Sequence, residues 1–195
     1  MASLMMHLYV GWKFAKQHAT ELNLPQFFLG CIAPDSVNVD GFAPKEKRWP
    51  AHLRSSNLQQ WYENNLNFYR SNAGHMCESL LLGYVIHNIT DAAFDEFYVK
   101  QVDEALTRHG NAGGRWDDCF RYDHSQLGKA WWAEEVLPAL KRATPQAVNG
   151  LDVHEMARFL QGIVKNNWAT TKGEPVVVTD ELVDGLAKVV CHKLS

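Results

Sequence analysis

GYVIHNITDAAFDEFY, residues 83–98, decides how this chain is read. Tyr84, Val85, Ile86, Ile89, Ala92, Ala93 and Phe94 predict a helix with little solvent on any side. His87 and Asp91 stand inside that run. Residues four apart share one helix face, so the imidazole and the carboxylate point the same way. A charge buried without a partner is very costly, so the pair must find something to bind. The two can satisfy each other through a charge-assisted hydrogen bond, or both can face a third group.

Outward from this stretch, helical period dominates. A first helix is expected from Ser3, as N-cap, to about residue 20, and a second from Pro25 through FFLGCIA to Pro34. Residues 35–55 read as a long irregular segment, holding Trp49, His52 and Leu53. Further helices are expected at about 56–70, 74–107, 125–143, 152–168 and 180–193, with a break at GNAGG, 110–114. Only PVVV, 175–178, reads as a strand. The pattern predicts an all-α bundle of six or seven helices in one domain spanning residues 1–195.

A net charge of −3 and the absence of any basic run longer than KEKR, 45–48, give no sign of a double-stranded nucleic acid partner. No stretch is long and apolar enough to span a bilayer, and the first residues carry no leading basic region or cleavage site. Four scattered cysteines without a C-x-x-C pair fit reduced thiols, so a cytoplasmic location is expected.

Five residues combine metal-ligand chemistry with apolar surroundings. His7 lies in MMHLYV, Asp35 follows CIAP, His52 lies in WPAHLR, and His87 and Asp91 complete the set. Imidazoles and carboxylates are ligands that zinc or a similar divalent ion takes, and facing helices of a bundle bring them together. Each also has a plain reading. His7 can be a hydrogen-bonded core residue, Asp35 a turn residue, and the His87–Asp91 pair self-satisfied. One metal site accounts for all five at once. His18, His109, His154 and His192 read as solvated, and His75 with Glu78 as a surface pair at a helix start.

In order, MMHLYVGWKFA, LPQFFLGCIAPDS, AHLRS and GYVIHNITD resemble the zinc-dependent phospholipase C family, over residues 4–98 and specifically its small intracellular bacterial members. The resemblance implies an all-α fold like that of phospholipase C and of a fungal single-strand nuclease, with zinc ions in a phosphodiester-cleaving cleft. It makes His52 and His87 ligands of one zinc with Asp35 beside them. Asp91 would bridge to a second metal, with His7 as a ligand of that metal. Secreted members also use their processed N-terminal amino group and a Trp, whereas this chain begins MASLMMH. The family's third metal takes an H-x-x-x-E motif that does not occur after Asp91; His124, beside Asp123, is the nearby candidate.

The expected function is metal-dependent hydrolysis of a phosphoester, with one or two divalent ions, zinc first. The substrate would be a small phosphoester or a lipid head group. Asp35 is the candidate general base, and Arg54 the candidate clamp for a phosphate oxygen. Two rivals stand beside it. An HD-type nucleotide phosphohydrolase needs an adjacent His-Asp pair, and only the reversed Asp123–His124 occurs. A catalytically idle, metal-stabilised helical binding protein needs only the ligands.

Overall fold

The computed structural model describes residues 1–18, 22–110 and 113–194. Among them there is no strand, and the architecture is all-α. The α-helices are α1 (Leu4–His18), α2 (Leu24–Gly30), α3 (Lys45–Ala51), α4 (Leu58–Asn72), α5 (Glu78–Phe97), α6 (Val99–Arg108), α7 (Gly114–Gln126), α8 (Leu137–Leu140), α9 (Val153–Val164) and α10 (Asp180–Leu194). A 3-10 turn covers Ala33–Asn38 and a π-helical segment Trp131–Val136. No helix is long and apolar enough to cross a membrane among the described residues.

α5 is the axis of the bundle. Every residue from Gly83 to Phe94 is buried, which only a helix wrapped on all sides can achieve. α1, α2, α4, α6 and α10 pack against it. The closest approach is between α5 and α2, at Gly30 and Gly83. A Cβ on Gly83 would sit 2.1 Å from the Phe27 carbonyl oxygen, and one on Gly30 would sit 2.2 Å from that of Leu80. Two glycines therefore let the backbones touch, bringing the C-terminal end of α2 against the middle of α5.

The helix count exceeds the expected six or seven because several helices are short, and some expectations fail for physical reasons. Residues 35–55 are about half helical: the 3-10 turn and α3 lie within them, and Pro50 fits inside the last turn of α3. The helix expected over 74–107 starts at Glu78 and breaks at Tyr98, whose φ of −119° turns α6 so that Val102 and Leu106 reach the core. The helix expected from 125 is replaced by α7, which starts at Gly114 and ends at Gln126, and by the π-helical segment and α8. The polar character of α7 concealed it, since its buried face includes Asp118 and Asp123. PVVV forms no strand; the backbone N–H groups of Val176, Val177 and Val178 donate to the Asp118 carboxylate at 2.5, 2.9 and 2.8 Å. The expected end of the first helix near residue 20, and Asn111–Ala112 of the GNAGG break, lie outside the described residues.

The start of α1 is held from a distance. Asp123 on α7 accepts from the Ser3 hydroxyl at 2.7 Å and the Met5 N–H at 3.0 Å. A carboxylate at a helix N-terminus binds otherwise unpaired N–H groups and suits the helix dipole. The Ser3 hydroxyl, expected to cap α1 by accepting, donates to Asp123 instead. This cap fixes the N-terminal turns of α1, from which His7 projects.

Candidate metal centre

Four elements converge on one buried spot. His7 comes from α1, Asp35 from the 3-10 turn, His52 from the end of α3, and His87 and Asp91 from α5. His7, His87 and Asp91 have no solvent exposure, and His52 has 1%. Asp35 keeps some exposure and forms part of the wall of a cleft of about 550 Å³.

Local structure explains each placement. Asp35 follows Pro34 in the 3-10 turn, and the Asn38 amide donates to its Oδ1 at 3.2 Å. α3 ends because Leu53 adopts a φ of 49°, a left-handed conformation in which a branched side chain is strained. The end is held by Trp61 Nε1, which donates to the His52 carbonyl at 2.8 Å, and by the Asn64 amide, which donates to the Leu53 carbonyl at 3.1 Å. Strain at Leu53 is thus offset by bonds that hold His52 in place.

Two of the imidazoles are oriented by the backbone. His87 Nδ1 lies 2.8 Å from the Cys31 carbonyl, and His52 Nδ1 lies 2.8 Å from the Arg48 carbonyl. A carbonyl only accepts, so Nδ1 carries the proton in both rings, and each Nε2 presents a lone pair. Cys31 follows the last turn of α2, where carbonyls lack a helical partner, and the glycine contact presses that end onto α5.

The inward atoms face one another. His52 Nε2 lies 3.3 Å from Asp35 Oδ1 and 3.8 Å from Asp91 Oδ2. His87 Nε2 lies 3.9 Å from Asp91 Oδ2, and His7 Nε2 lies 3.4 Å from Asp91 Oδ1. Ala2 N–H also donates to Asp91 Oδ1, at 2.6 Å. His7 stacks on His87 with ring centroids 3.6 Å apart. His7 Nδ1 and Nε2, His52 Nε2, His87 Nε2 and Asp91 Oδ2 are all buried and have no hydrogen-bond partner. Orphaned buried polar atoms are rare in folded proteins, and here five gather within one cluster.

One atom from each of these four residues is what a divalent ion would satisfy. Ligands about 2.0–2.1 Å from a tetrahedral ion lie roughly 3.3–3.4 Å from one another. The two shorter separations match that figure, and the two longer ones need only small side-chain movements. Two triads have donor atoms within 4.8 Å of one another: His7, His87 and Asp91, and Asp35, His52 and His87. Asp91 turns Oδ1 toward His7 and Oδ2 toward His52 and His87, so one carboxylate touches both groups.

The electrostatics suit an ion as well. Burial pushes the Asp91 carboxyl up, but His7, the N-terminal amino group and His87 together outweigh it and hold the carboxyl below the usual carboxylate range. Asp35 is likewise lowered: burial raises it, and the neighbouring imidazoles of His52, His87 and His7 together more than compensate. His87 is pushed down to about 3 by burial and by His7, so its ring stays neutral and able to coordinate. His52 moves the other way; burial lowers it, but the carboxylates of Asp35 and Asp91 and the Arg48 carbonyl together raise it above the ordinary imidazole value. Two anionic carboxylates and neutral Nε2 lone pairs make a competent donor set.

All five residues read from the sequence as ligands come together here. His124 does not join them: its Nδ1–H donates to the Ala169 carbonyl at 2.9 Å. Asp123 beside it faces the start of α1, so the reversed Asp-His pair forms no joint site. His18, His75, His109, His154 and His192 are exposed, as read. Arg54 lies in an adjoining cavity, with Nη2 2.5 Å from Asp95 Oδ2 and its guanidinium over Trp61. Sequence reasoning missed Asp123 as a wall of the cleft, where burial raises its carboxyl to about 7. It also missed the two orienting carbonyls, for which a sequence carries no side-chain signal.

Compared with protein-family models, curated proteins and solved structures, the chain matches none.

Proposed function

We propose that the protein is a metal-dependent phosphoesterase, with zinc as the first candidate ion. The observation that carries this reading is the cluster of four buried residues, His7, His52, His87 and Asp91, each offering a donor atom without a hydrogen-bond partner, with Asp35 beside them at a cleft. His52, His87 and Asp35 would hold one ion, and His7 with Asp91 a second, Asp91 serving both groups. The resemblance to zinc-dependent phospholipase C in MMHLYV, CIAPDS, AHLRS and GYVIHNITD points the same way and favours the corresponding fold.

A divalent ion in such a donor set supplies Lewis acidity toward phosphoryl oxygens and makes water a better acid. The chain's own residues do the rest. Asp35 holds its charge and sits where cleft meets cluster, so its carboxylate can take a proton from an attacking water. The carbonyls of Cys31 and Arg48 fix the Nε2 tautomers, which keeps the donors preorganised. Phe42, Trp116, Phe120, Phe159 and Trp168 wall the cleft and offer an apolar surface beside the ester. A small phosphoester or lipid head group fits a cleft of about 550 Å³.

The test is turnover of bis(p-nitrophenyl) phosphate by protein purified without chelator, together with its metal content. Turnover abolished by His87→Ala and by chelator supports the reading. Stoichiometric metal without turnover of any phosphoester leaves a metal-stabilised binding protein.

A further inference from the structure

Beside the cleft lies a second cavity of about 570 Å³, and its chemistry is different. Phe42 and Trp116 line both, so the two cavities share a wall. The first is mostly apolar; the second also carries Arg48, Arg54 and Arg115, with Ser55 and Ser56. Three arginines stand in its walls against two carboxylates that pair with them, Asp95 in the wall and Asp103 beside it, although the whole chain has a net charge of −3.

The arginines are only partly committed. Arg54 binds Asp95 through Nη2, and Arg115 binds Asp103 through Nη1 at 2.5 Å. The Nε atoms of both are buried and have no partner. Arg48 is spent on neutral groups: its Nε donates to the Ala43 carbonyl at 2.7 Å, and its guanidinium rests 3.9 Å from the Phe42 ring centroid. Guanidinium is the group best shaped for phosphate, and a low-dielectric wall of Trp49 and Trp61 strengthens its pull on an anion.

We propose that this cavity is an anion subsite that takes a second phosphate group of the same substrate, next to the ester presented to the histidines and aspartates. The proposal rests on the phosphoesterase reading, because it places one phosphate in each cavity. A phosphate suits the one arginine without a carboxylate, Arg48, beside two others whose Nε atoms have no partner. Such a group can come from a nucleotide or from a phosphorylated lipid head group.

Two substrate pairs separate these sources: thymidine 5′-(p-nitrophenyl phosphate) with and without a 3′-phosphate, and phosphatidylinositol with and without a 4-phosphate in mixed micelles. In one pair the second phosphate should raise kcat/KM by about tenfold or more, and that ratio should collapse in Arg48→Gln/Arg115→Gln. Independently of catalysis, calorimetric titration with inorganic pyrophosphate should show binding about tenfold weaker in the double variant. Arg48→Gln alone, which breaks no ion pair, should weaken it in the same direction, and Arg48→Lys should restore part of the loss. Arginine-dependent pyrophosphate binding without hydrolysis of any ester keeps the anion site and removes the phosphoesterase reading. Pyrophosphate binding equal in wild type and both Gln variants overturns the anion site, and so does a ratio near one in both substrate pairs.

Discussion

Asp118 and Asp91 are both fully buried carboxylates, and their surroundings could hardly differ more. Asp118 accepts three backbone N–H groups from Val176, Val177 and Val178, so the cost of burying it is offset within the chain. Asp91 accepts Ala2 N–H on Oδ1, while Oδ2 is left with no donor and lies among imidazole nitrogens that are unpaired too. One carboxylate ties down the segment between α9 and α10. The other completes its environment only when something cationic arrives. A buried polar group that is satisfied points to structure; a cluster that is unsatisfied points to a ligand.

That contrast can be broken most forcefully by removing the ligand. If an ion occupies the cluster at a thousand times its dissociation constant, chelation should remove about 4 kcal/mol of stability, a fall of roughly 8–16 °C in melting temperature for a chain of this size. Asp118→Ala should come next. Stripping three N–H groups of their acceptor should cost about 3 kcal/mol, roughly 6–12 °C, while metal content and the chelator response stay as in wild type. Chelator-sensitive loss in the Asp118 variant would erase the distinction. Asp91→Asn should be milder in melting temperature. It keeps an acceptor for Ala2 but weakens metal binding by at least about tenfold, roughly 1.4 kcal/mol or 3–6 °C, and shrinks the chelator-induced shift. An unchanged shift would make Asp91 a structural partner of His87.

Acid sharpens the comparison further. A metal needs His52 neutral, and Asp35 raises the pKa of that imidazole. Protons therefore compete for His52 from above the ordinary imidazole range. Affinity should be full at high pH and fall by about tenfold per unit as pH drops below the raised value. His87, neutral down to about 3, adds nothing to that slope between pH 8 and 4. Metal affinity measured across this range tests it; a flat profile would remove His52 from the ligand set.

The sequence foretold the donors better than their surroundings. His87 and Asp91 were legible because helical spacing alone puts them on one face, and His7, which alone reads equally as a core histidine, only because the five residues form a set. Asp35 and His52 came from the order of short motifs. The carbonyls of Cys31 and Arg48 were not legible, since backbone groups leave no mark in sequence and depend on where α2 and α3 end. α7 was missed because its inward face is partly carboxylate, and PVVV read as a strand because its N–H partner lies some sixty residues earlier. Pattern reading registers apolar periodicity; long-range polar ties escape it.

The central claim is that the orphaned donors of the cluster hold a divalent ion. Elemental analysis of protein purified without any chelator tests it most directly. The account predicts about one to two equivalents of a divalent transition metal per chain, zinc foremost, lost in His87→Ala. Less than about a tenth of an equivalent in folded wild-type protein would contradict it.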